Sequence, residues 1–233
     1  MNRNVFALVA AAALLATQAS ASDGYLSGPG VDLTKILPPA PVRGTPRYDA
    51  DRRTFRESRK LLGTARGAQA TNDVREDVAI MLADFSQAAG RPLQPERHPV
   101  LVELLSRMRP DIDAAFRPAK EHWYRKRPFL IDRGAICQPR AQLAGSYDYP
   151  SGHTTWGTSV ALVLAEIIPA QATQILARGR AYGDSRYICG AHNLSAVEAG
   201  RLAAASIVAR LHGDAGFRHD LDAARAEMGS QVD

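Results

Sequence analysis

The apolar positions of this chain recur with a helical period over most of its length. Val74, Val78, Met81, Leu82 and Phe85 fall on one stripe and predict a helix with a single apolar face. A second helix is predicted from Val100 to Met108, and Pro110 is placed to open a third in its first turn. Trp156, Val160, Val163, Leu164 and Ile167 repeat the spacing up to Pro169, whose missing amide hydrogen stops a helix. Ile175 and Leu176 suggest another helix before Gly183. Ser195-Ala196-Val197-Glu198 reads as a capping box opening a helix through Leu211, ended by Gly213. Asp214 is placed to cap a last amphipathic helix carrying Phe217, Leu221, Ala224 and Met228. No alternating strand pattern and no internal repeat stands out. The expected fold is all-α, a single-domain helical bundle.

The two ends of the pattern differ from its middle. Arg3, the apolar run Val5 to Ala16 and the small residues Ala19-Ser20-Ala21 read as a secretory signal peptide over residues 1–21. The run falls short of the ~20 residues that a spanning helix needs, and no later stretch is apolar enough to cross a bilayer. Residues 22–46 are rich in Gly and Pro, notably Ile36-Leu37-Pro38-Pro39-Ala40-Pro41, and read as an extended arm. Residues 47–233 then form the folded domain. Export to an oxidising compartment makes Cys137 and Cys189 candidates for one disulfide, with two buried free thiols as the alternative.

Composition narrows the class of function. Of the 233 residues, 45% are hydrophobic and 23% charged, which excludes wholesale disorder. The net charge of +5 is modest and its basic residues are scattered, so the chain does not read as a nucleic-acid binder. Two cysteines are too few for a disulfide scaffold or a four-cysteine zinc site, and neither a phosphate-cradling glycine loop nor a His-Glu-x-x-His helix occurs.

Three segments carry the candidate chemistry. They are Lys120 followed six residues on by Arg127-Pro128, the run Pro150-Ser151-Gly152-His153 ahead of a helix, and Ser185-Arg186 with His192 beyond it. One point charge and two planar forks, from Lys120, Arg127 and Arg186, suit the oxygens of a phosphoryl group. The backbone amides of Ser151 and Gly152 at a helix start are placed to add donors. Of the two histidines, one suits in-line attack on phosphorus and the other proton transfer to the departing alkoxide. His98, His122, His212 and His219 lack such surroundings and receive no role.

Lys-x6-Arg-Pro, Pro-Ser-Gly-His and Ser-Arg-x5-His in that order resemble the signature of the type 2 phosphatidic acid phosphatase (PAP2) and vanadium haloperoxidase superfamily. Within it, the chain is similar to the bacterial class A non-specific acid phosphatases. The Ile36–Pro41 segment, Gly145-Ser146-Tyr147 near Pro150-Ser151-Gly152-His153-Thr154-Thr155, and Cys189-Gly190-Ala191-His192 all fit. The resemblance implies an all-α bundle and an exported, periplasmic enzyme that hydrolyses phosphate monoesters without metal or other cofactor. It implies phosphate binding by Lys120, Arg127, Ser151, Gly152 and Arg186. His192 would be the nucleophile that becomes a phosphohistidine, and His153 the acid and then the base. It also implies a Cys137–Cys189 disulfide, vanadate as an inhibitor, and no membrane or nucleic-acid partner. Whether the chain acts alone or as a homo-oligomer stays open.

One position departs from the pattern. The family places an Asp four residues after the nucleophilic His, where it orients the imidazole, and this chain has Ala196 there. Alanine can accept no proton from the ring, so reduced activity is the expectation. Glu198 and a backbone carbonyl are the candidate substitutes. A phosphate-binding pseudoenzyme of the same fold is the alternative function, and a vanadium-dependent haloperoxidase a more remote one.

Overall fold

In this computed structural model, residues 23–26 and 30–229 are described; the signal peptide expected over 1–21 lies outside them. The described residues form α1 (Leu33–Ile36), α2 (Pro46–Ser58), α3 (Ala65–Asn72), α4 (Val78–Ser86), α5 (Pro99–Trp123), α6 (Gly152–Ile167), α7 (Ala172–Cys189), α8 (Leu194–Leu211) and α9 (Ala215–Gly229), with short 3-10 turns between them and no strand. The fold is all-α, as expected. None of these helices is long and apolar enough to cross a membrane.

At the centre stands α6, whose Trp156, Val160, Val163 and Leu164 are buried and which packs against α5, α7, α8 and α9. Glycines set how closely its neighbours approach. A Cβ on Gly179 of α7 would lie 2.3 Å from the Ala161 Cβ, and one on Gly200 of α8 would lie 2.8 Å from the Ser151 carbonyl oxygen. Those two contacts bring α7 and α8 against the segment that begins at Ser151.

Three helix boundaries differ from the periodicity. The two helices expected on either side of Pro110 are one, because α5 runs through Pro110 and Pro118. Each proline forfeits a backbone hydrogen bond at ~3 kcal/mol, but Leu101, Leu104, Leu105, Met108, Ile112, Ala115, Phe116 and Ala119 continue one buried face across both. Burial of large apolar side chains at ~1.5–3 kcal/mol each outweighs that loss. Likewise α7 passes Gly183 and ends at Gly190, whose φ of 80° closes the helix in the left-handed region. Val74 lies ahead of α4 rather than in it, and Asp77 precedes the first turn.

The capping box expected at Ser195 is also absent. Asn193 is the N-cap of α8, while Ser195 lies within the helix and gives its amide and hydroxyl to Asp51, at 2.9 and 2.6 Å. Glu198 turns to solvent, 3.8 Å from Arg47. Asp214 does cap the last helix, accepting from the Phe217 amide at 2.9 Å.

The described residues of the proline-rich arm are anchored at several points. Asp111 accepts from the Tyr25 amide at 2.7 Å, the Tyr25 ring meets Phe217 edge-on, and Pro38 accepts from the Tyr149 hydroxyl at 2.6 Å. The arm includes the short α1, capped by Asp32. Between α5 and α6 the chain crosses a smaller core of Phe55, Phe129, Leu143, Cys189 and Ala191. Here Cys137 and Cys189 form a disulfide.

Candidate active site

Three regions meet around one cavity of about 200 Å³: the end of α5 with the segment after it, the start of α6, and the end of α7 with the turn after it. Lys120, Arg127, Gly152, His153, Arg186 and His192 all line it. The sequence had scattered these six over the second half of the chain, and the fold brings them together. Glu76, Arg109, Gln138, Gln142 and Ser146 add to the polar wall.

Arg186 sits on the last turn of α7 and is 0% exposed. Its Nη2 donates to Gln138 Oε1 at 2.6 Å, while Nε and Nη1 are buried without a hydrogen-bond partner among the described residues. Burial holds its pKa below the ordinary guanidinium value. Lys120 is also out of water; its Nζ donates to the Tyr147 carbonyl at 2.6 Å. Burial, reinforced by the Arg127 charge, pulls the ammonium pKa down to about 7. Arg127 donates from Nε to Ser146 O at 2.8 Å and from Nη1 to Ala191 O at 2.9 Å. Burial lowers its pKa to about 10. Cations held this far from water favour an anion between them.

Gly152 opens α6, and its lack of a side chain is required: a Cβ there would lie 2.7 Å from the Phe116 ring. Ser151 behaves differently from expectation. Its hydroxyl caps α6 by accepting from the Thr154 amide at 3.3 Å, and its own amide donates to Ala196 O at 3.0 Å. That amide is therefore not available to a phosphate, and Ser151 does not line the cavity.

The ring contacts assign the histidine tautomers. Arg127 Nη1 lies 3.1 Å from His192 Nε2, and a guanidinium can only donate, so Nε2 carries the lone pair. The proton is then on Nδ1, which donates to the Asp148 carbonyl at 2.7 Å and faces Asp148 Oδ1 at 3.2 Å. The ring is buried, and desolvation with the Arg127 and Lys120 charges holds its pKa well below the usual imidazole value. His153 donates from Nε2 to Val74 O at 2.8 Å, leaving Nδ1 3.2 Å from Glu76 Oε1. Burial and the Arg186 charge push the His153 pKa well down, while burial pushes the Glu76 carboxyl up. Nδ1 and Oε1 are thus close enough to hold one proton between them.

The backbone carbonyl expected as a substitute acceptor for His192 is present, on Asp148, and Glu198 is not the substitute. Ala196 is buried in the core and Glu198 is remote, but a backbone carbonyl and a carboxylate, both of Asp148, receive the imidazole proton. Asp148 and Glu76 escaped the sequence reading. Asp148 is a lone acid between two tyrosines in a turn, and Glu76 one of several charges ahead of α4, so neither has a local pattern.

The all-α scaffold thus carries a buried cationic cavity with two histidines on its wall. Residues 100–218 match the PAP2 superfamily, and the chain belongs to it. An acid phosphatase of Zymomonas mobilis is 45% identical over 195 residues, covering 82% of this chain and 74% of its own. A non-specific acid phosphatase of Providencia stuartii is 38% identical over 201 residues, covering 85% and 81%. One from Salmonella typhimurium is 34% identical over 195 residues, covering 82% and 78%.

Proposed function

We propose that this protein is an exported acid phosphatase that hydrolyses phosphate monoesters through a phosphohistidine on His192. The observation that carries the reading is Arg186, a fully buried guanidinium with two nitrogens unpartnered among the described residues, in one cavity with two histidines and two further cations. A buried guanidinium with donors left unpaired is costly, and a phosphoryl group supplies the missing acceptors. Its three equatorial oxygens suit Lys120, Arg127 and Arg186, with the Gly152 amide and the positive end of α6 as a further donor. The names of the relatives agree with this chemistry.

In the first step Nε2 of His192 attacks phosphorus as the bond to the leaving oxygen breaks. That oxygen keeps the electron pair and takes a proton from Nδ1 of His153. The substrate oxygens draw Arg127 away from Nε2, freeing the lone pair. In the second step His153, backed by Glu76, takes a proton from water as the water oxygen attacks phosphorus. The N–P bond then breaks, its pair returns to Nε2, and inorganic phosphate leaves. The protein's work is positioning and charge stabilisation, which is most of what phosphoryl transfer requires. Vanadate, which presents similar oxygens, inhibits in this reading. Export by residues 1–21 to the periplasm, and an arm of 22–46 on a catalytic domain of 47–233, belong to the same proposal.

The test is an assay of the chain from residue 22 onward with an aryl phosphate at acidic pH in the presence of chelator. Turnover is expected, together with acid-labile phosphate trapped on the wild type and missing from His192→Ala. No turnover above the His192→Ala background would sink the reading.

A further inference from the structure

Asp148 is 0% exposed and lies at the crossing of the loop ahead of α6 and the turn ahead of α8. All its polar atoms are engaged. Oδ1 faces His192 Nδ1 at 3.2 Å and accepts from the Asn193 amide at 3.0 Å. Oδ2 accepts from Asn193 Nδ2 at 2.7 Å and stands 3.4 Å from Arg125 Nη1. The Asp148 carbonyl accepts the shorter His192 bond, and its amide donates to Arg125 O at 2.9 Å.

We infer that Asp148 is the positioning residue of the nucleophile: a carboxylate supplied from the loop ahead of α6 that holds His192 as the Nδ1–H tautomer and faces the charge on its ring. The inference rests on the reading of His192 as the attacking group. As Nε2 gives up its lone pair to phosphorus, the ring becomes cationic while still carrying its Nδ1 proton. A carboxylate beside that proton stabilises the cation, which a carbonyl alone does less well.

Asn193 has its place in this arrangement. Although it is the N-cap of α8, its side chain does not cap the helix; it donates to Asp148 and accepts from Arg52. Arg125 is tied on its other side to Asp51 at 2.6 Å, and Asp51 in turn receives the Ser195 amide and hydroxyl. The carboxylate is thus gripped by α8 and by a network reaching α2, while Ala196 leaves no competing acid in the first turn of α8. A residue held on four sides by neighbours can fix the plane of the imidazole that it touches.

The experiment uses the chain from residue 22 onward as wild type, Asp148→Asn and Asp148→Ala, with an aryl phosphate as substrate and inorganic phosphate as competitive inhibitor. The Asp148 backbone carbonyl survives in both variants, so kcat should fall by about 10–100-fold rather than vanish. The inhibition constant for phosphate should stay within about threefold, because binding needs only the cations. Nitrogen-15 spectra of the wild type, with His192 resonances identified by their loss in His192→Ala, should give neutral imidazole protonated at Nδ1.

Active variants with unchanged kcat overturn the inference and leave the phosphatase reading standing. So does phosphate affinity lost in step with kcat, which would make Asp148 a structural residue. An Nε2-protonated wild type overturns it even if neither variant folds. A wild type without turnover overturns the phosphatase reading, and the inference with it.

Discussion

Lys120 gives the site a titration of its own. Its ammonium lies out of water at the end of α5, and burial with the Arg127 charge lowers its pKa to about 7. A bound phosphate favours the charged amine. Below pH ~7 the proton is already present; above it, binding must recover one from water and weakens. Comparison with Lys120→Met separates this from the titration of phosphate itself. A charged hydrogen bond at ~1.5–3 kcal/mol predicts inhibition by phosphate about 10- to 150-fold weaker in the variant at about pH 5.5. The gap should close as pH rises towards about 8.5. A constant ratio over that range would exclude Lys120 as the titrating ligand. The three cations and both histidines were legible in the sequence because their three short runs, taken in order, resemble a family signature. Asp148 was not, since its contact with His192 spans 44 residues and exists only after folding.

The helices were legible wherever an apolar stripe ended on a residue with one physical meaning. The stripe of α6 stopped before Pro169, and α9 began after the cap Asp214. Errors arose where a local rule met a stronger tertiary term. Pro110 signals a helix start, but a buried face continues through it in α5; Ser195 suits a cap, but Asp51 claims its hydroxyl. Gly183 reads as a helix end when only chain propensity is weighed. In α7 it is a packing device, since a Cβ there would lie 2.8 Å from Thr154 Cγ2. Gly179 tests this at the α6–α7 contact. In an open helix, replacing Gly by Ala gains ~1 kcal/mol. Here the new methyl would meet the Ala161 Cβ, which cannot rotate away. Overpacking at ~2–3 kcal/mol, the upper part of the usual range, reverses the sign to a net loss of ~1–2 kcal/mol, so Gly179→Ala is expected to lower Tm by about 2–8 °C in calorimetry. A raised Tm would mean that α7 is free to move off α6.

Two devices hold the whole molecule closed behind the cavity, and they act on different states. The Cys137–Cys189 bridge closes a loop across a separation of 52 residues. In the chain-entropy model this restricts the unfolded chain and adds about 4 kcal/mol, close to a thousandfold in the folding equilibrium. Arg59 works on the folded state alone. Its guanidinium donates to the carbonyls of Tyr187, Ile188 and Cys189 at 2.8, 2.7 and 3.3 Å, and also to that of Ala135. It therefore clamps the same two segments that the disulfide joins, one leading to Gln138 and the other carrying Arg186. Reduction should lower the urea midpoint substantially, yet leave the phosphate inhibition constant of the folded protein within about threefold. Arg59→Ala in the reduced protein removes both ties, and phosphate binding should then weaken by about tenfold or more as Gln138 and Arg186 lose their register. Titration of phosphate inhibition against reductant, with and without the substitution, separates the two contributions. If reduction alone weakens phosphate binding tenfold, the disulfide shapes the folded pocket as well as restricting the unfolded chain, and Arg59 is not the second tie assigned to it here.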